Sequence, residues 1–63
     1  MFMTLEAARR NAGLLQKDVA TALGVSKKTV GSWENGRTMP KADKVDAICK
    51  LYGVSYDNIR WKA

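Results

Sequence analysis

Residues Gln16 to Arg37 read QKDVATALGVSKKTVGSWENGR, two helical patterns joined by a link too short for anything but a fixed bend. Val19, Ala20 and Leu23 recur at the spacing of one helix face, which predicts a helix opening at Gln16 and ending where Gly24 turns left-handed. Ser26 is a favourable N-cap for a second helix over Lys27 to Glu34, and Val30 and Trp33 mark its inner face. Asn35 and Gly36 end it. Only Gly24, Val25 and Ser26 lie between the two helices, and a connection that short makes them cross at roughly 90–120°. Val25 is expected to plug the angle.

The flanking sequence supplies the rest of a small core. Thr4 is placed to cap a first helix from Leu5 to Ala12, with Leu5, Ala8 and Ala12 at helical spacing, Glu6 near its N-terminal end and Gly13 as its stop. Leu14 reaches toward the same core. After Pro40, the set Val45, Ile48, Cys49 and Tyr52 predicts a fourth helix, with Asp43 near its start and Gly53 at its end. Val54 packs inward, and Ser55 caps a short fifth helix from Tyr56 to about Arg60 that buries Ile59. No alternating run suggests a sheet. The fold expected is all-α with five helices, and residues 1–63 form a single domain.

Size and composition narrow the function classes. A chain of 63 residues with 46% hydrophobic residues holds one small core, and a domain of this size buries only about 60% of the surface its unfolded chain exposes. Eleven Lys and Arg against six Asp and Glu give a net charge of +5, a potential that favours polyanionic partners. With one cysteine, Cys49, and no histidine, neither an internal disulfide nor a Cys-based zinc site is expected within one chain. No stretch resembles a signal peptide or a membrane span, and the default expectation is a reducing, cytoplasmic setting with no membrane association. There is no glycine-rich phosphate loop and no convergent pair of carboxylates. An enzyme is not expected, nor a metal, a cofactor or a small-molecule ligand.

With Val30 and Trp33 inward, Lys27, Lys28, Gly31 and Ser32 fall on the outer side of the Lys27–Glu34 helix. Lysine and serine donate to base-edge acceptors in the major groove of DNA, lysine to guanine O6 or N7 among the favoured pairings. Two lysines at the positive end of a helix dipole are locally unfavourable by about 0.3–1 kcal/mol each, and Gly31 costs roughly 1 kcal/mol in helix propensity. Folding gains nothing from these choices. A partner that needs positive charge and a close backbone accounts for them. Gln16, Asn35, Arg37 and Lys41 surround this face and can donate to phosphate oxygens, contacts that position a protein without reading sequence.

In order along the chain, Gly13-Leu14 with Gln16, Val19-Ala20, Leu23-Gly24-Val25-Ser26, Trp33-Glu34-Asn35-Gly36-Arg37, Pro40 and Gly53-Val54-Ser55 resemble the Cro/C1-type helix-turn-helix domains of phage repressors and related bacterial regulators. The resemblance covers Leu5 to Ile59. It implies a lambda-repressor-like five-helix domain whose third helix enters the major groove. By position it implies that Ser26, Lys27, Lys28 and Ser32 face bases or adjacent phosphates, and that Asn35 and Arg37 contact the DNA backbone. Gln16 would contact phosphate and buttress the start of the recognition helix, Lys41 would approach phosphate or the minor groove, and Arg9 and Glu34 would form a structural ion pair between helices 1 and 3. Two positions depart from the family pattern. Leu15 stands where a Ser, Thr or Asn cap is common, and Lys41 replaces a common capping residue.

Leu51, Tyr56 and Trp61 exceed what the core pattern needs and suggest an exposed apolar contact surface, hence a homodimer, at least on DNA, that sets two recognition helices about 34 Å apart on a pseudo-palindromic operator. The expected function is that of a sequence-specific, double-stranded DNA-binding transcriptional regulator of phage or mobile-element type, acting by operator occupancy on the nucleoid of a bacterial host. The alternative is a protein-interaction module, antirepressor-like, that uses the same fold to bind another regulator.

Overall fold

The computed structural model describes residues 2–61. A two-residue strand β1 (Met3–Thr4) leads into α1 (Leu5–Asn11), α2 (Gln16–Leu23), α3 (Lys27–Glu34) and α4 (Ala42–Tyr52), followed by a single 3₁₀ turn (Tyr56–Asn58) and a second two-residue strand β2 (Ile59–Arg60). α2 and α3 share the most extensive contact, and α4 packs against α1 and α2. Leu5, Ala8, Val19, Ala20, Leu23, Val30, Trp33, Ile48, Tyr52, Ile59 and Trp61 form one continuous core, with Leu14, Val25, Val45 and Val54 packed on its margin.

The expected fifth helix is not there. Tyr56 to Asn58 make one 3₁₀ turn, and the chain then extends so that Met3 pairs with Ile59 and Thr4 with Arg60 in a parallel ladder. A run this short cannot repay the cost of nucleating an α-helix, whereas β1 offers partners for its backbone groups. Four α-helices and a small parallel strand pair thus replace the five-helix, sheet-free reading. Trp61 also differs from expectation. Rather than joining Leu51 and Tyr56 in an exposed patch, it is buried, its indole Nε1 donates to the Tyr56 carbonyl at 3.1 Å, and its ring stacks on Tyr56 with centroids 5.4 Å apart.

The helix ends show how local chemistry fixes the bend between α2 and α3. Gly24 sits at φ 68°, ψ 34°, a left-handed conformation that glycine adopts without a side-chain penalty. Its N–H and that of Val25 return to the last turn of α2, Val25 to the Ala20 carbonyl at 3.0 Å. Ser26 Oγ then accepts from the Thr29 N–H at 3.1 Å to start α3. From across the core, Lys44 Nζ donates to the Leu23 carbonyl at 3.1 Å, a tertiary cap that satisfies an otherwise free helix-end acceptor.

Leu15 is the N-cap of α2 and has no side chain to offer the orphan amides. The compensation comes from the helix itself: Asp18, three residues on, accepts from the Leu15 N–H at 2.8 Å, the reciprocal half of a capping box, and places a carboxylate at the favourable end of the dipole. Leu15 is 58% exposed, so its side chain contributes little burial. Leu15→Ser restores the missing acceptor and is expected to raise stability by roughly 1 kcal/mol. Urea denaturation of the two proteins under identical conditions measures this. An unchanged midpoint would mean that Asp18 already provides all the capping the helix can use.

Candidate nucleic-acid interface

α3 is divided into two faces as its periodicity requires. Val30 and Trp33 are buried, Lys27 and Lys28 are exposed, and Gly31 and Ser32 are partly exposed beside them. Gln16, Lys27, Lys28, Gly31, Ser32, Asn35 and Arg37 line a single shallow concavity. Residues from the start of α2, the length of α3 and the loop after it therefore share one surface. From Ser26 to Lys41 the only acidic residue is Glu34, and its side chain is just 4% exposed and paired with Arg9. All the free charge this segment shows to solvent is positive.

Within the concavity the predicted site residues are not equivalent. Ser26 Oγ caps α3 and lies 2.9 Å from Thr29 Oγ1, so its hydroxyl is already engaged by the helix it starts. Ser32 Oγ lies 3.1 Å from Thr38 Oγ1, a link that ties the recognition face to the loop carrying Arg37. Thr38 was not among the residues singled out from the sequence, and no periodic signal could have marked it, since it stands in a loop. Lys27, Lys28, Asn35 and Arg37 point to solvent. Lys41, the exposed N-cap residue of α4, has no side-chain cap bond and is not part of the concavity that gathers the others.

A buried carboxylate sets the orientation of this surface. Arg9 Nε donates to Glu34 Oε2 at 2.7 Å and Nη2 to Glu34 Oε1 at 3.3 Å, while Nη1 donates to the Leu14 carbonyl at 2.9 Å. The fork matches the geometry in which Arg holds a carboxylate most firmly. Gln16 Nε2 donates to Glu34 Oε1 at 2.9 Å, so α1, α2 and α3 converge on one side chain. Gln16 was expected to buttress the start of the recognition helix. Its hydrogen bond instead reaches the last turn of α3, where the Glu34 carboxylate accepts it as a third N–H beside the two from Arg9.

Electrostatics follow from that arrangement. Hydrogen bonding to Glu34 pushes the Arg9 pKa up, against the opposing effect of burial. Burial pushes the phenol of Tyr52 up from its usual value near 10 to about 12, with Glu34 adding to the rise and Arg9 opposing it. Burial likewise raises the thiol of Cys49, with Asp46 contributing, which keeps it in the unreactive protonated form. Among the described residues no group of His, Cys, Asp or Glu is arranged to hold a metal ion, and no helix is long and apolar enough to cross a membrane.

A family model described as helix-turn-helix matches residues 5–59. The chain is 29% identical over 55 residues to the antitoxin PezA of Streptococcus pneumoniae serotype 4, a match covering 87% of this chain and 35% of that protein. It is 42% identical over 41 residues to the cryptic phage CTXphi transcriptional repressor RstR of Vibrio cholerae, covering 65% of this chain and 37% of the repressor. The matched regions thus span little more than a third of either relative. No solved structure matches the chain significantly.

Two outcomes test the network. Removing the carboxylate strands the Arg9 charge in the core, which costs about 3–5 kcal/mol, a large part of what a domain of this size has. Glu34→Ala should therefore be largely unfolded by circular dichroism at room temperature, while the double variant R9M/E34L loses much less. Equal losses would show that the pair is not coupled. For Tyr52 the folded-state pKa is raised, so its contribution to stability is complete below pH 10 and is lost as pH climbs toward 12. Comparing melts of the wild type and Tyr52→Phe across that window should show a steeper alkaline decline in the wild type alone.

Proposed function

The chain belongs to the helix-turn-helix family, in its Cro/C1-type form, and from that premise we propose that it is a sequence-specific regulator that binds double-stranded DNA and acts by occupying an operator. The observation that carries this reading is the concavity of Gln16, Lys27, Lys28, Gly31, Ser32, Asn35 and Arg37, with Glu34, the one acid between Ser26 and Lys41, withdrawn into the core. Lys27, Lys28 and Ser32 read base edges. Asn35, Arg37 and Gln16 hold phosphates, with Lys41 as an outlying contact. Ser26 acts chiefly by starting the helix. A repressor of phage or mobile-element type, working in a bacterial cytoplasm, is supported by the likeness to the Vibrio cholerae repressor.

The operator is pseudo-palindromic and the protein occupies it as a homodimer, with recognition helices one DNA turn apart. With Trp61 buried, the large apolar residues left exposed among those described are Phe2, Leu15, Met39, Leu51 and Tyr56. Met39 and Tyr56 border an apolar groove floored by Pro40, Val45, Cys49 and Val54. That groove also favours one other reading, in which the same fold binds a protein. The likeness to an antitoxin fits either, since the matched segment is a minor part of that protein.

Selection of bound duplexes from a random pool, followed by titration of the winner, separates the readings. Affinity should fall steeply with salt, as it does when lysine and arginine displace counterions from phosphates. Lys28→Ala should lose about 1–3 kcal/mol of discrimination at one base pair, and Arg37→Ala should weaken all duplexes alike. If no duplex is enriched, or binding ignores salt, the DNA-regulator reading fails and the groove becomes the site of interest.

A further inference from the structure

Gly31 occupies the middle of α3, where glycine is the least favoured residue but proline. Nothing inside the protein asks for it. Its backbone is not among the glycines with positive φ, so no conformational demand excludes a side chain. A Cβ built on it would meet only Gln16 Nε2, at 3.9 Å, an ordinary contact distance, so no packing demand excludes one either. The reason for glycine lies on the outward side, in the concavity shared with Gln16, Lys27, Lys28, Ser32, Asn35 and Arg37.

Every other residue lining that concavity presents a polar or charged head. Gly31 alone presents bare backbone carbon. The major groove of DNA displays donors, acceptors and a single apolar group, the 5-methyl of thymine. We propose that Gly31 is a specificity-determining residue: its missing side chain forms the slot that receives a thymine 5-methyl, letting the backbone of α3 lie against that base while Lys28 and Ser32 address its neighbours. The inference rests on the DNA-reading function proposed above. A side chain at this position would hold the helix off the base, which explains why a residue costly to the helix stands at its centre.

The test pairs Gly31→Ala with thymine-to-uracil replacements, made one at a time in the duplex selected by the wild-type protein. Gly31→Ala should melt higher by about 4 °C or more, because alanine improves helix propensity in a domain of this size. It should bind the selected duplex at least about fivefold more weakly, the effect of crowding a filled slot. A single uracil replacement in either half-site should weaken the wild type by about fourfold, the worth of one methyl group, and should relieve the loss shown by Gly31→Ala at that half-site. A variant that binds every duplex as the wild type does, or that loses the same on thymine and uracil duplexes, overturns the proposal with the DNA-reading function intact. A lower melting temperature overturns its premise that the protein tolerates a Cβ. A wild-type protein that selects no duplex overturns both.

Discussion

The carboxylate of Glu34 is the constraint on which the rest depends. It is buried at the end of α3 and accepts from Arg9 and Gln16, so three helices meet on two oxygen atoms. A charge so placed is tolerated only with a good partner and its remaining lone pairs satisfied, and no buried side-chain polar atom among the described residues is left without a partner. The requirement works as a gauge. α3 can sit at only one angle and depth relative to α1 and α2 if all the donors are to arrive together.

Fixing α3 from the inside leaves its outside free. Because Arg9 holds Glu34 below the surface, Lys27, Lys28 and Arg37 face solvent without a compensating negative charge in the same segment. The fold therefore produces a positive concavity by internal pairing as much as by adding cations. Gln16 stands at the join of the two regions, its amide nitrogen donating to Glu34 and lying beside Gly31. A phosphate contact by Gln16 would couple DNA directly to the network that orients the helix.

Much of this was legible in the sequence because the signals were local. Ser26 before Lys27, Gly24 after Leu23, and the spacing of Val30 and Trp33 set the limits of α3 at the residues observed, since capping and helical phase depend on neighbours a few positions away. The end of the chain was less readable. Tyr56 to Arg60 carry a cap residue and one apolar contact, which is compatible with a short helix, but the choice between helix and strand fell to Met3 and Thr4, more than fifty positions away. Trp61 looked available for an interface because nothing nearby in sequence accounted for it, and Tyr56, which stacks on it, is itself exposed.

What the sequence determined by itself is the bent helix pair and which side of α3 faces out, because both follow from turn chemistry and a repeat of 3.6 residues. Only the tertiary structure decided how that face is held and what it contains. The cap that Leu15 lacks is replaced locally by Asp18, but Gln16 reaches Glu34 rather than the start of α3, and Lys44 closes the end of α2. The last two join residues distant in sequence through single hydrogen bonds, and such bonds leave no periodic trace. They exist because buried and helix-end polar groups must find partners wherever the packing brings one within reach.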